Sequence, residues 1–169
     1  QKALKYYERA IKIKPDYADS HLNLGIAFKS LKKYQQAIVC FQKAISIQPE
    51  NFRSYNVLGR ILKEQGDYNK AISCYEKSIK INPNNEMTLN SVLDLFTSIQ
   101  FSNLTTKNSK SIKNLIIFLL NKNNINHSQI FHNVKLLIFI DQNQEEIQKI
   151  INSEKLLINN TIIKKLLKE

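Results

Sequence analysis

Residues 18–51 read ADSHLNLGIAFKSLKKYQQAIVCFQKAISIQPEN, and residues 52–85 read FRSYNVLGRILKEQGDYNKAISCYEKSIKINPNN. Laid over each other, they place Gly25 on Gly59, Cys40 on Cys74 and Pro49 on Pro83, each pair 34 residues apart. Pro15 lies one further period upstream. A period of this length marks a two-helix unit that cannot bury its apolar side alone and stacks on copies of itself.

The side-chain types keep the same register. The first unit has His21, Leu24, Gly25, Phe28, Tyr34, Ala37, Phe41, Ala44 and Pro49. The second has Tyr55, Leu58, Gly59, Leu62, Tyr68, Ala71, Tyr75, Ser78 and Pro83. Upstream, Ala3, Tyr7, Ala10 and Pro15 match the back half of a unit; downstream, Leu89, Val92 and Phe96 match the front half. This pattern resembles the tetratricopeptide repeat (TPR) over roughly residues 1–100. The resemblance implies an all-α helix-turn-helix solenoid, a right-handed superhelix, followed here by an irregular helical C-terminal region. Three positions depart from the pattern: His21 for a large aromatic, Ser78 for a small alanine, and Leu93 for the last unit's glycine. The domain expectation is an array over 1–100: a partial repeat at 1–17, full repeats at 18–51 and 52–85, and a degenerate half repeat at 86–100. Residues 101–169 are expected to pack on the array or extend it.

Periodicity supports the same reading. Residues 20–32 carry apolar side chains at 22, 24, 26, 27, 28 and 31, a helix broad enough to bury on two sides. Residues 34–47 carry them at 34, 37, 38, 41, 44, 45 and 47. Gly25 and Ala37 are small where two helices must approach; Tyr34 and Phe41 are large where the pair must fill space. Pro49 and Pro83 end helices, because their rings cannot continue the hydrogen-bond ladder. Gly66 marks the turn inside its unit.

The chain has 169 residues, 43% of them hydrophobic, enough for a core. No apolar run approaches the roughly 18 residues a membrane span requires. The chain opens inside a repeat helix, so it is expected to be a fragment of a longer TPR-containing chain, and its expected place is the cytoplasm. Equivalent helices in neighbouring repeats pack about 8–10 Å apart. A disulfide needs Cα atoms within about 7 Å. Cys40 and Cys74 are therefore expected to be small apolar fillers. The net charge is +11, from 25 basic and 14 acidic residues. That excess is mostly lysine spread evenly along the chain, without the clustered arginines and interleaved aromatics of a nucleic-acid surface. Neither a nucleic acid nor a membrane is an expected partner.

In residues 101–169, 13 are Ile, 12 Asn and 10 Lys, a composition that nucleotide bias in the genome explains. Glycosylation triplets at Asn103, Asn126 and Asn159 follow from that asparagine abundance. Apolar spacing still predicts helical faces at Ile112, Leu115, Ile116, Leu119 and Leu120; at Ile130, Val134, Leu137 and Ile138; at Ile147, Ile150 and Ile151; and at Ile162, Ile163, Leu166 and Leu167. Residues 101–108 and 121–126 read as loops. The tail is also similar to the helical segment behind short TPR arrays in A/T-rich bacterial proteins, some of which continue into a methyltransferase or glycosyltransferase domain.

The TPR resemblance implies a partner-binding groove lined by the first helix of each unit. The lining positions fall on Asp19, Leu22, Asn23, Ile26 and Lys29; then on Arg53, Asn56, Arg60 and Lys63; then on Met87, Asn90 and Asp94. Arg53, Asn56, Arg60 and Lys63 have spacings of 3, 4 and 3, so they share one helix face. Three cations on one stripe suit carboxylates on a partner, which arginine can grip with two parallel hydrogen bonds; a solvated charged face is the alternative. The chaperone-tail clamp of the family wants Lys and Asn where Leu22 and Ile26 stand. The asparagine ladder of the O-GlcNAc transferase type is met at Asn23 and broken at Val57 and Ser91.

No nucleophile–base pair is legible. His21 reads as a packing residue, and His127 and His132 have no recognisable companions. Glu145 and Glu146 point different ways on a helix. No glycine-rich phosphate loop, cofactor site or metal-ligand spacing is present, so no catalytic residue is expected. The expected function is protein–protein interaction, as an adaptor or scaffold binding a peptide or helix, with an acidic partner as the specific case. The alternative is the substrate-recruiting arm of a larger transferase.

Overall fold

The computed structural model describes residues 2–98, 109–120 and 122, in seven α-helices with no strand among the described residues. In order they are α1 (Lys2–Ile13), α2 (Ala18–Ser30), α3 (Tyr34–Ile47), α4 (Phe52–Glu64), α5 (Tyr68–Ile81), α6 (Glu86–Ser98) and α7 (Ser109–Leu120). The chain divides between Ser91 and Val92, inside α6, into two units.

In the first unit α2 packs on α3 and α4 on α5, while α1 meets α2 and α3 meets α4. The sequence dictates these pairings through one small-against-large contact per repeat. Phe41 and Tyr75 are fully buried and stand over Gly25 and Gly59. Ala37, Ala44, Ile61, Ala71 and Ile72 close the surrounding space with no exposed surface. Removing that much apolar area from water is the main favourable term. Helices α1, α3 and α5 each end two residues before a proline, at Ile13, Ile47 and Ile81. The residue ahead of a proline is itself pushed out of helical geometry, which accounts for the spacing. The first helix of the array is less enclosed: Tyr6 is 73% exposed, whereas Cys40, its counterpart in α3, is buried.

The turns inside the two full repeats close with the same pair of hydrogen bonds but with different residues. In one, Lys32 N donates to Lys29 O at 2.8 Å and Lys33 N to Phe28 O at 2.9 Å. In the other, Gly66 N donates to Lys63 O and Asp67 N to Leu62 O, both at 2.9 Å. Each satisfies the end of its helix with a Schellman motif, which needs a left-handed residue. Gly66 has φ +78° and Lys32 has φ +58°. The expected glycine turn is thus matched by a lysine forced into the same backbone shape. Asp67 also caps α5, its carboxylate accepting from Lys70 N at 3.2 Å, where Lys33 gives α3 no side-chain cap.

Asparagine caps the first helices of later units. Asn51 Oδ1 accepts from Ser54 N at 3.2 Å, and Asn85 Oδ1 accepts from Thr88 N at 3.0 Å. Ser78, the departure from alanine, is fully buried; its hydroxyl donates to Phe52 O at 3.0 Å and lies 2.9 Å from Thr88 Oγ1. The serine therefore ties α5 to the starts of α4 and α6. His21 packs as expected, and its Nε2 lies 2.8 Å from Pro15 O. A carbonyl only accepts, so Nε2 carries the proton.

In the second unit Val92, Leu93, Leu95 and Phe96 are buried on α6, and Ile112, Leu115, Ile116 and Leu119 on α7. The last four belong to the five-residue apolar face the sequence predicts. The other three tail faces, the loop expectations, the glycosylation triplets, His127, His132, Glu145 and Glu146 lie outside the described residues.

Candidate functional site

Four residues of α4 share a stripe by helical spacing, and the structure separates them by depth. Arg53 and Arg60 are exposed, Lys63 is half-buried and Asn56 is fully buried. The Arg53 guanidinium lies 5.9 Å from the centroid of the Phe52 ring, close enough for a cation–π contact that restrains it. Arg60 has neither hydrogen bond nor ion pair among the described residues.

Asn56 is fully buried beneath the stripe rather than exposed on it. Its Nδ2 donates to Ser91 Oγ at 3.2 Å, and that hydroxyl donates to Met87 O at 2.8 Å. Its Oδ1 is buried with no hydrogen-bond partner among the described residues. Asn56 therefore joins α4 to α6 beneath the stripe. Leu22 is likewise buried, at 4% exposure, so it belongs to the core.

The remaining expected positions divide by helix. On α2, Asp19 and Ile26 are exposed and Asn23 is half-buried. Lys29 is half-buried, and its ammonium sits 3.0 Å from Glu64 Oε1 at the end of α4. On α6, Met87 and Asn90 are exposed in the first unit, and Asp94 is exposed in the second.

Glu64 is the residue that sequence reading missed. It is held by Lys29 at 3.0 Å, and its charge bears on the Tyr34 phenol. Desolvation, the Glu64 charge and the hydrogen bond to that carboxylate, in that order, hold the Tyr34 phenol above its ordinary value. The available signal was an offset. Glu64 follows Lys29 by 35 residues, as Ser91 follows Asn56. One repeat plus one residue is the spacing at which first helices of neighbouring units touch.

Both cysteines are free; Cys40 is buried and Cys74 half-buried. Burial pushes both thiols up, Cys74 to about 11 with the Asp67 carboxylate adding to the effect. Such thiols are inert at neutral pH, in keeping with a packing role. Among the described residues no cluster of three or more His, Cys, Asp or Glu could hold a metal ion. No described helix is long and apolar enough to cross a membrane.

No curated protein matches the chain. Among solved structures, the crystal structure of MamA protein matches with a TM-score of 0.54 at 21% sequence identity, over 78% of this chain and 64% of that one. That likeness concerns the fold alone. The family described as tetratricopeptide repeat matches residues 18–51 and 52–85, and a second one, described as TPR repeat, matches residues 1–32. Those matches follow the same period as the Gly–aromatic contacts, and the chain belongs to the tetratricopeptide-repeat family.

Proposed function

We propose that this chain is a protein-interaction module, an adaptor or scaffold, that holds an acidic segment of a protein or peptide against the α4 stripe. The observation that carries the reading is the pair Arg53 and Arg60, both exposed and one helical face apart by seven residues. Neither is consumed by an acidic neighbour among the described residues. A guanidinium offers two parallel donors to a carboxylate, a match that lysine cannot reproduce. The net charge of +11 favours the encounter with an acidic partner.

Asp19, Asn23, Ile26, Met87 and Asn90 supply polar and apolar surface on the neighbouring first helices. They suit side-chain contacts flanking the charged grip, and they set specificity more than affinity.

The test is charge reversal. A fluorescent Gly/Ser peptide carrying two glutamates separated by two residues is titrated into the protein at low salt. Arg53→Glu with Arg60→Glu is expected to weaken binding at least about tenfold, since a charge-assisted hydrogen bond is worth roughly 1.5–3 kcal/mol. Equal affinity for the parent and the double variant overturns the reading.

A further inference from the structure

Arg60 has a built-in competitor. Glu64 lies four residues on, the spacing at which a helix pairs opposite charges. Were the two joined, half of the α4 grip would be spent within the helix. They are not joined. Glu64 Oε1 is taken by Lys29 Nζ at 3.0 Å.

The restraining group comes from another helix, the last turn of α2. The side chain of Lys29 is 21% exposed and that of Glu64 36%, so the pair is shielded enough to persist better than a bridge in open water.

We infer that Lys29 is a positioning residue: by holding Glu64 it leaves Arg60 available to a partner's carboxylate. This rests on the function proposed above and extends it. The partner is an extended acidic segment. Arg53 and Arg60 are separated by seven residues of helix, a rise of roughly 10.5 Å. Carboxylates three residues apart on a polyproline-type strand are separated by roughly 9.3 Å and lie on the same side. Mutual repulsion keeps an acidic segment extended.

A double-mutant cycle separates this from a general charge effect. Lys29→Met keeps the aliphatic stem and removes the charge; Glu64→Gln removes the competitor. The same Gly/Ser peptide with two glutamates is the probe, with helicity checked by circular dichroism. In the parent background Lys29→Met is expected to weaken binding roughly 1.5- to twofold, the scale of one helical ion pair. In the Glu64→Gln background it is expected to have no effect. Equal losses from Lys29→Met in both backgrounds overturn the inference, because Lys29 then acts only as a distant positive charge. Loss of binding on reversal of Arg53 and Arg60 alongside that result leaves the proposed function standing. No loss on reversal removes both.

Discussion

Gly25 lies against the ring of Phe41 so closely that a Cβ added there would stand 2.5 Å from Cε1. The same relationship recurs between Gly59 and Tyr75, at 2.8 Å. Phe41 and Tyr75 are fully buried, so neither ring has room to withdraw. Gly25→Ala is therefore expected to destabilise the protein by about 2 kcal/mol, after a helix-propensity gain of up to about 1 kcal/mol is set against overpacking. Gly59→Ala should cost less, because only one ring atom comes inside 3.0 Å. Urea midpoints rank the two, and Phe41→Leu should recover part of the loss in Gly25→Ala. An equal or reversed ranking would contradict this account.

The turn of the second full repeat should improve the first. Lys32 carries a side chain at φ +58° where Gly66 occupies φ +78°, and Lys33 leaves uncapped a helix start that Asp67 caps. Lys32→Gly with Lys33→Asp is expected to raise stability by about 1–2 kcal/mol, most of it from the new cap. Thermal melts of the single and double variants read this directly; no gain from Lys33→Asp would show that α3 does not need the cap.

Asn56 and Ser91 hold each other beneath the α4 stripe, while the positions one period earlier are Leu22 and Val57. Asn56 Oδ1 is buried without a partner among the described residues, so the pair is incompletely satisfied. Ser91→Ala alone is expected to cost about 1–3 kcal/mol, since it strands the amide donor as well. Replacing both as Asn56→Leu and Ser91→Val is expected to be neutral or stabilising. A double variant less stable than Ser91→Ala would show that the polar link carries more than its hydrogen bond.

Cys74 predicts an alkaline weakness. Burial lifts its thiol from an ordinary 9.0 to about 11. Below pH 9.0 both folded and unfolded chains hold the proton, and the stabilisation is fully present. Between there and about 11 the unfolded chain releases it and the folded chain does not, so stability falls as pH rises. Denaturant midpoints across that window should fall more steeply for the parent than for Cys74→Ala. Parallel curves would remove the thiol from the explanation.

Much of the first unit was legible because a repeat states each structural requirement twice. Residues 34–47 are a helix at the expected bounds, and the Gly–aromatic contacts follow from two small and two large residues in register. Gly66 announces its turn, whereas nothing about Lys32 does; only the alignment with Gly66 reveals it. Surface placement was harder. Helical spacing puts Asn56 beside Arg53 and Arg60, but burial depends on Ser91 of the next helix pair, which a single helix cannot report. Lys29 was readable as a charge near the site and unreadable as the partner of Glu64, because that contact crosses two helices. The Ser78 hydroxyl looked like a lapse from alanine until its acceptor, Phe52 O, was in view.

The two-turn separation of Arg53 and Arg60 has an electrical consequence. Their spacing along α4, roughly 10.5 Å, exceeds the screening length of about 8 Å at physiological ionic strength. Each arginine then feels the carboxylate nearest to it and little of the other, so the stripe works as two separate contacts rather than one diffuse field. Affinity should be composed of two nearly independent increments, and dilution of the salt should make them cooperate.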